Sequence, residues 1–76
     1  MLWNEDRKMT IGERIKKERE QCGWSQEALA LAAGVSQRSI GHYELGQRDP
    51  QSVILGKIMG AMGFQMQFVK EGVESE

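Results

Sequence analysis

Residues 26–43 read QEALALAAGVSQRSIGHY, and the residues that punctuate this run decide the fold. Ser25 stands before it as an N-cap, and Ser36 stands before its second half as another. Between them, Gly34 can take a positive φ and stop the first helix. Two short helices, QEALALAA and QRSIGHYE, are therefore predicted on either side of a tight turn. Leu29 and Ala33 are four residues apart and share a face of the first helix. Ile40 and Tyr43, three apart, share the inner face of the second. Ala30 falls where the two would cross, and only a small side chain permits close approach there. With Val35 these residues supply the shared apolar contact of a helix-turn-helix layout.

Upstream of this run, Thr10 and Glu13 form a capping box for a helix over about residues 11–22. Its expected buried stripe is Ile11, Ile15 and Cys22, and Gly23 ends it. Downstream of Gly46, Asp49 and Pro50 read as a capping acid followed by proline at the first helical position. The helix they open is expected to run to about residue 62, with Ile54, Leu55, Ile58, Met59 and Met62 as its apolar side and Gly63 closing it. Gly56 and Gly60 form a G-x-x-x-G within it; the helix is too short to span a bilayer and carries Lys57, so close packing on another helix is the expected use. Then the period changes. In FQMQFV, Phe64, Met66 and Phe68 alternate with Gln65 and Gln67, a strand signature. A lone strand has no ladder. Pairing with the same strand of a second copy would supply one, giving a two-fold dimer; packing down as an irregular tail is the other reading.

The expected fold class is thus all-α, with four to five short helices and a C-terminal β-strand pairing across a dimer. The expected organisation is an N-terminal arm (1–9, containing Trp3), a helical domain (10–63), a dimerising strand (64–70) and an acidic flexible tail (71–76).

Seventy-six residues make one domain, and a chain of this length buries only about 60% of its unfolded surface. The formal net charge of −1 hides an uneven distribution. All ten Lys and Arg lie between Arg7 and Lys70 with six of the eleven acids, so that span carries a formal +4. A basic body with acidic ends is compatible with nucleic acid and equally with ordinary solvated faces. One His and one Cys leave no metal-ligand cluster and no nucleophile–base pair, so neither an enzyme nor a cofactor is expected. The single Cys22 forms no internal disulfide and is expected as a small buried hydrophobe. With no secretory or membrane-length apolar segment, a cytoplasmic location is expected.

The stretch GERIKKEREQCGWSQEALALAAGVSQRSIGHYELGQRDP resembles the Cro/C1-type (XRE-family) helix-turn-helix over about residues 10–63. The shared pattern is an Arg-containing first helix, Gly–apolar–Ser–Gln–Glu–x–Leu–Ala, Gly–Val–Ser, Ile–x–x–x–Glu–x–Gly and a later Pro. The terminal segment is also similar to that of HipB-type antitoxins. The resemblance implies a lambda-repressor-like DNA-binding fold whose second motif helix enters the major groove. On that basis Ser36, Gln37, Arg38 and His42 are candidate base contacts, and Gln26, Ser39 and Arg48 candidate phosphate contacts. Arg19 and Glu44 match a structural ion pair, and Phe64, Met66 and Phe68 are the candidate dimerisation residues. For His42, base contact and plain solvation both stand.

Two positions depart from the family pattern. Gly41 replaces a larger polar residue, and Leu45 replaces an Asn that could otherwise be expected before Gly46. Leu45 could touch a deoxyribose or turn inward. The implied function is a homodimeric, sequence-specific transcriptional regulator, a repressor in its simplest form, on a palindromic site in double-stranded DNA. The alternatives are an antitoxin that binds a toxin and represses its own operon, and a helix-turn-helix used only for protein binding.

Overall fold

The computed structural model describes residues 9–64, which form four helices: α1 (Ile11–Gln21), α2 (Gln26–Ala33), α3 (Gln37–Glu44) and α4 (Ser52–Ala61). The expected strand residues Met66 and Phe68, and the arm with Trp3, lie outside the described residues. No helix among the described residues is long and apolar enough to cross a membrane.

Local chemistry sets the helix starts. The Thr10 hydroxyl oxygen accepts from the Glu13 N–H at 3.0 Å while the Glu13 carboxylate accepts from the Thr10 N–H at 3.0 Å, which completes the capping box of α1. Ser25 accepts from the Ala28 N–H, and Ser36 from the Ser39 N–H, each at 3.0 Å. The stops are equally regular. Gly34 adopts φ 74° and lets Val35 donate its N–H to the Ala30 carbonyl at 3.0 Å. Trp24, Gln47 and Phe64 close the other three helices by the same bond to the carbonyl five residues back.

α4 starts later than its sequence signal. Gln51, not Asp49, occupies the N-cap, and no side chain caps the first turn. Pro50 is buried two residues ahead of the helix and does not open its first turn.

The core takes one fully buried side chain from each helix: Ile15, Leu29, Ile40 and Ile58. Ala30, Ala33 and Tyr43 complete it, with Trp24, Val35, Ile54, Leu55, Met59 and Met62 packed against its margin. α3 lies against both α1 and α2, and α2 also carries α4.

The stripe expected on α1 needs correction. Ile11 is 44% exposed and Cys22 is exposed; only Ile15 of the three is buried. The buried line is Gly12, Ile15 and Arg19, which keeps the helical period but is turned away from Ile11. Gly12 explains the rotation. A Cβ there would collide with the Tyr43 carbonyl oxygen, and would lie 2.9 Å from that carbonyl's carbon and 3.2 Å from the Glu44 Cα. α1 therefore rests directly on the backbone of the last turn of α3. In contrast, a Cβ on Gly60 would meet open space, so that half of the G-x-x-x-G makes no close helix packing within the described residues.

Two glycine substitutions should consequently move stability in opposite directions. Gly12→Ala is expected to cost about 1–3 kcal/mol through overpacking against backbone. Gly41→Ala, whose methyl would meet only the Gln26 Oε1 at 3.7 Å, is expected to gain up to about 1 kcal/mol of helix propensity. Urea denaturation of both variants checks this; a raised midpoint for Gly12→Ala would rule out the close approach.

Candidate nucleic-acid interface

Both motif helices present their N-termini and one face of α3 to solvent. Along α3, Gln37 and Arg38 are exposed, Ser39, Gly41 and His42 are half-buried, and Leu45 at the C-cap is 74% exposed. Ile40, Tyr43 and Glu44 form the opposite, buried side. The outward line at helical spacing is thus Arg38, Gly41 with His42, and Leu45. Ser36 donates its hydroxyl hydrogen to the Ser39 hydroxyl oxygen at 2.9 Å, so these two candidate residues sit together at the start of α3. Arg48 is exposed in the loop after α3.

The electrostatics of this face depend on a residue that does not belong to it. Glu44 is the only acid in α3, and it is turned inward with 8% exposure. Arg19, 9% exposed, meets it as a fork: Nε donates to Oε2 at 2.7 Å and Nη2 to Oε1 at 3.1 Å. The remaining nitrogen, Nη1, donates to the Trp24 carbonyl at 2.8 Å. Hydrogen bonding to Glu44 holds the Arg19 guanidinium above its ordinary pKa, with burial working the other way. A raised pKa contributes stability that persists below the ordinary arginine range and is lost only above it. The Arg19 side of the pair is therefore insensitive to pH under any working condition.

Gln26, at the first position of α2, joins the same cluster. Its Nε2 donates to Glu44 Oε1 at 2.9 Å, and its Oε1 is the nearest atom to a Cβ built on Gly41. The side chain that the family resemblance implies as a phosphate contact is thus also a structural tie between α2 and α3. One amide N–H is used on Glu44, and a second remains on the same nitrogen. The cluster brings Gln26 to the side of α3 and places the positive ends of α2 and α3 on one module, where unsatisfied amides favour an anion.

Sequence reasoning missed two parts of this arrangement. Gly12 carried a signal: it shares helical spacing with Ile15 and Arg19. The bond from Gln26 to Glu44 carried none, because the two are 18 residues apart on different helices. Leu45, for which two orientations stood open, points outward.

Comparison with known proteins agrees with this geometry. A family model described as helix-turn-helix matches residues 15–69. A protein of Bacillus subtilis (strain 168), described as an SPbeta prophage-derived uncharacterized HTH-type transcriptional regulator, YonR, is 32% identical over 66 residues. That alignment takes in 87% of this chain and 61% of the relative, so the chain spans less than two thirds of the relative's length. No solved structure gave a significant match.

The ion pair makes a sharp stability test. Arg19→Ala or Glu44→Ala alone strands a buried charge and is expected to cost about 3–5 kcal/mol. The i,i+4 pair Arg14–Glu18 within α1, at 2.9 Å and only part-buried (side chains 42% and 14% exposed), is expected to contribute less, under about 1 kcal/mol. Replacing both buried partners, Arg19→Met with Glu44→Leu, should recover most of the loss. Thermal unfolding of the three variants reads this, and a double variant no more stable than either single one contradicts it.

Proposed function

This chain belongs to the Cro/C1-type helix-turn-helix family, and we propose that it is a sequence-specific regulator of transcription that binds double-stranded DNA. The carrying observation is the outward face of α3. It bears Gln37, Arg38 and His42, and its one acid is folded inward onto Arg19. A net charge of −1 is no obstacle, because DNA meets this face and the two helix N-termini, not the average of the chain.

In this reading α3 lies in the major groove. Arg38 donates to guanine O6 and N7, and Gln37 pairs with adenine N6 and N7. Ser36 and His42 complete the base-facing set. Gln26, through its second amide hydrogen, Ser39 and Arg48 take phosphate oxygens and set the register. The tie from Glu44 to Gln26 holds the backbone contact and the base-reading helix in one geometry. The chain acts as a homodimer on a palindromic operator with half-sites about 34 Å apart. Repression follows if the dimer occludes a promoter.

Selection of bound sites from a random DNA pool tests the proposal. A palindromic consensus supports it, and absence of any mobility shift at low salt overturns it. On the selected site, Arg38→Ala is expected to cost about 1–3 kcal/mol and to relax preference at one base position. Arg48→Ala is expected to weaken all sequences alike and to reduce the salt slope by about one. An equal loss on random DNA for Arg38→Ala would remove its base-reading role.

A further inference from the structure

Gly41 has no structural reason to be glycine. Its φ lies outside the left-handed region, and a Cβ there would make only an ordinary contact, 3.7 Å from Gln26 Oε1. Yet it weakens the middle of a helix only eight residues long. Gly12 supplies the contrast, since there the backbone of α3 leaves no room for a Cβ.

What Gly41 does create is a gap in the outward face of α3. Arg38 stands one turn before it. Leu45 stands one turn after it, four residues on and still in helical conformation at the C-cap. Gln26 bounds the gap on the α2 side, and the hydrogen bond to Glu44 at 2.9 Å keeps it in place. Leu45 is 74% exposed, an apolar side chain held toward water beside a position with no side chain at all. Neither Gly41 nor Leu45 can hydrogen-bond through a side chain, so the pair offers shape and an apolar surface beside the Gln26 amide.

Among the groups that base edges present in the major groove, one is an apolar protrusion: the 5-methyl of thymine. We propose that Gly41 and Leu45 together receive a thymine methyl group, with Gly41 as the floor and Leu45 as the wall, and so determine preference at one base pair of each half-site. The proposal rests on the DNA-binding reading above and adds to it a contact that reads a base without hydrogen bonds.

The test uses the full chain and its selected site, with each thymine replaced in turn by deoxyuridine, which removes only the methyl. One position per half-site is expected to bind the unmodified protein about fourfold more weakly as deoxyuridine, the value for burying a single methyl-sized group. Gly41→Ala and Leu45→Ala should still bind and should lose that thymine preference, whereas Arg38→Ala should keep it. Both variants are expected to fold, since one adds a methyl at ordinary contact distance and the other trims an exposed side chain.

Equal binding of thymine and deoxyuridine at every position overturns the proposal, as does a preference that survives both substitutions. If Leu45→Ala weakens thymine and deoxyuridine sites equally, Leu45 lies against a deoxyribose and the proposal is wrong. If the unmodified chain binds no DNA at low salt, the DNA-binding reading itself falls, and this inference with it.

Discussion

A single carboxylate organises the helical domain. Glu44, at the end of α3, is taken out of water and receives three side-chain hydrogen bonds, two from Arg19 of α1 and one from Gln26 of α2. Removing such a group from solvent is unfavourable by itself, and a buried pair adds little over an apolar replacement. Its consequence is geometric. Arg19 can reach Glu44 as a fork only if α1 crosses the last turn of α3, and Gln26 can reach it only if the start of α2 lies beside α3. Arg19 then extends the tie to the Trp24 carbonyl, which holds the connection between α1 and α2. Three helices are oriented through one side chain, and none of its polar atoms is left without a partner.

The same carboxylate shapes the surface. With Glu44 inside, the exposed side of α3 carries arginine, glutamine and histidine and no acid. The electrostatic character of the outward face of α3 is therefore a by-product of core architecture. Two glycines divide along the same line. Gly12 is demanded by the backbone that α1 rests upon, whereas Gly41 is tolerated by the fold and opens a gap on the outside.

Much of the fold was legible in the chain because it is written in short-range hydrogen bonds. The caps at Thr10, Ser25 and Ser36 and the closures after each helix involve residues three to five apart, so the residue types alone imply them. Leu29, Ala33, Ile40 and Tyr43 were readable for the same reason, since helical spacing puts them on one side. Asp49 and Pro50 misled because a buried proline looks, in sequence, like one that begins a helix. Ile11 and Cys22 misled because apolar character says which residues are free to be buried and not which way a helix is rotated.

By itself, then, the sequence determined the number, limits and order of the motif helices, and the family to which they belong. Tertiary structure decided how α1 is rotated, that Gln26 is tied to Glu44, and that Leu45 faces water while Glu44 does not. Each of these rests on contacts between residues far apart in the chain: 25 positions for Arg19 and Glu44, 18 for Gln26 and Glu44. Local propensity carries no information across such distances. Only packing brings those groups within reach, and a missing Cβ at Gly12 acts only once a second backbone lies against it.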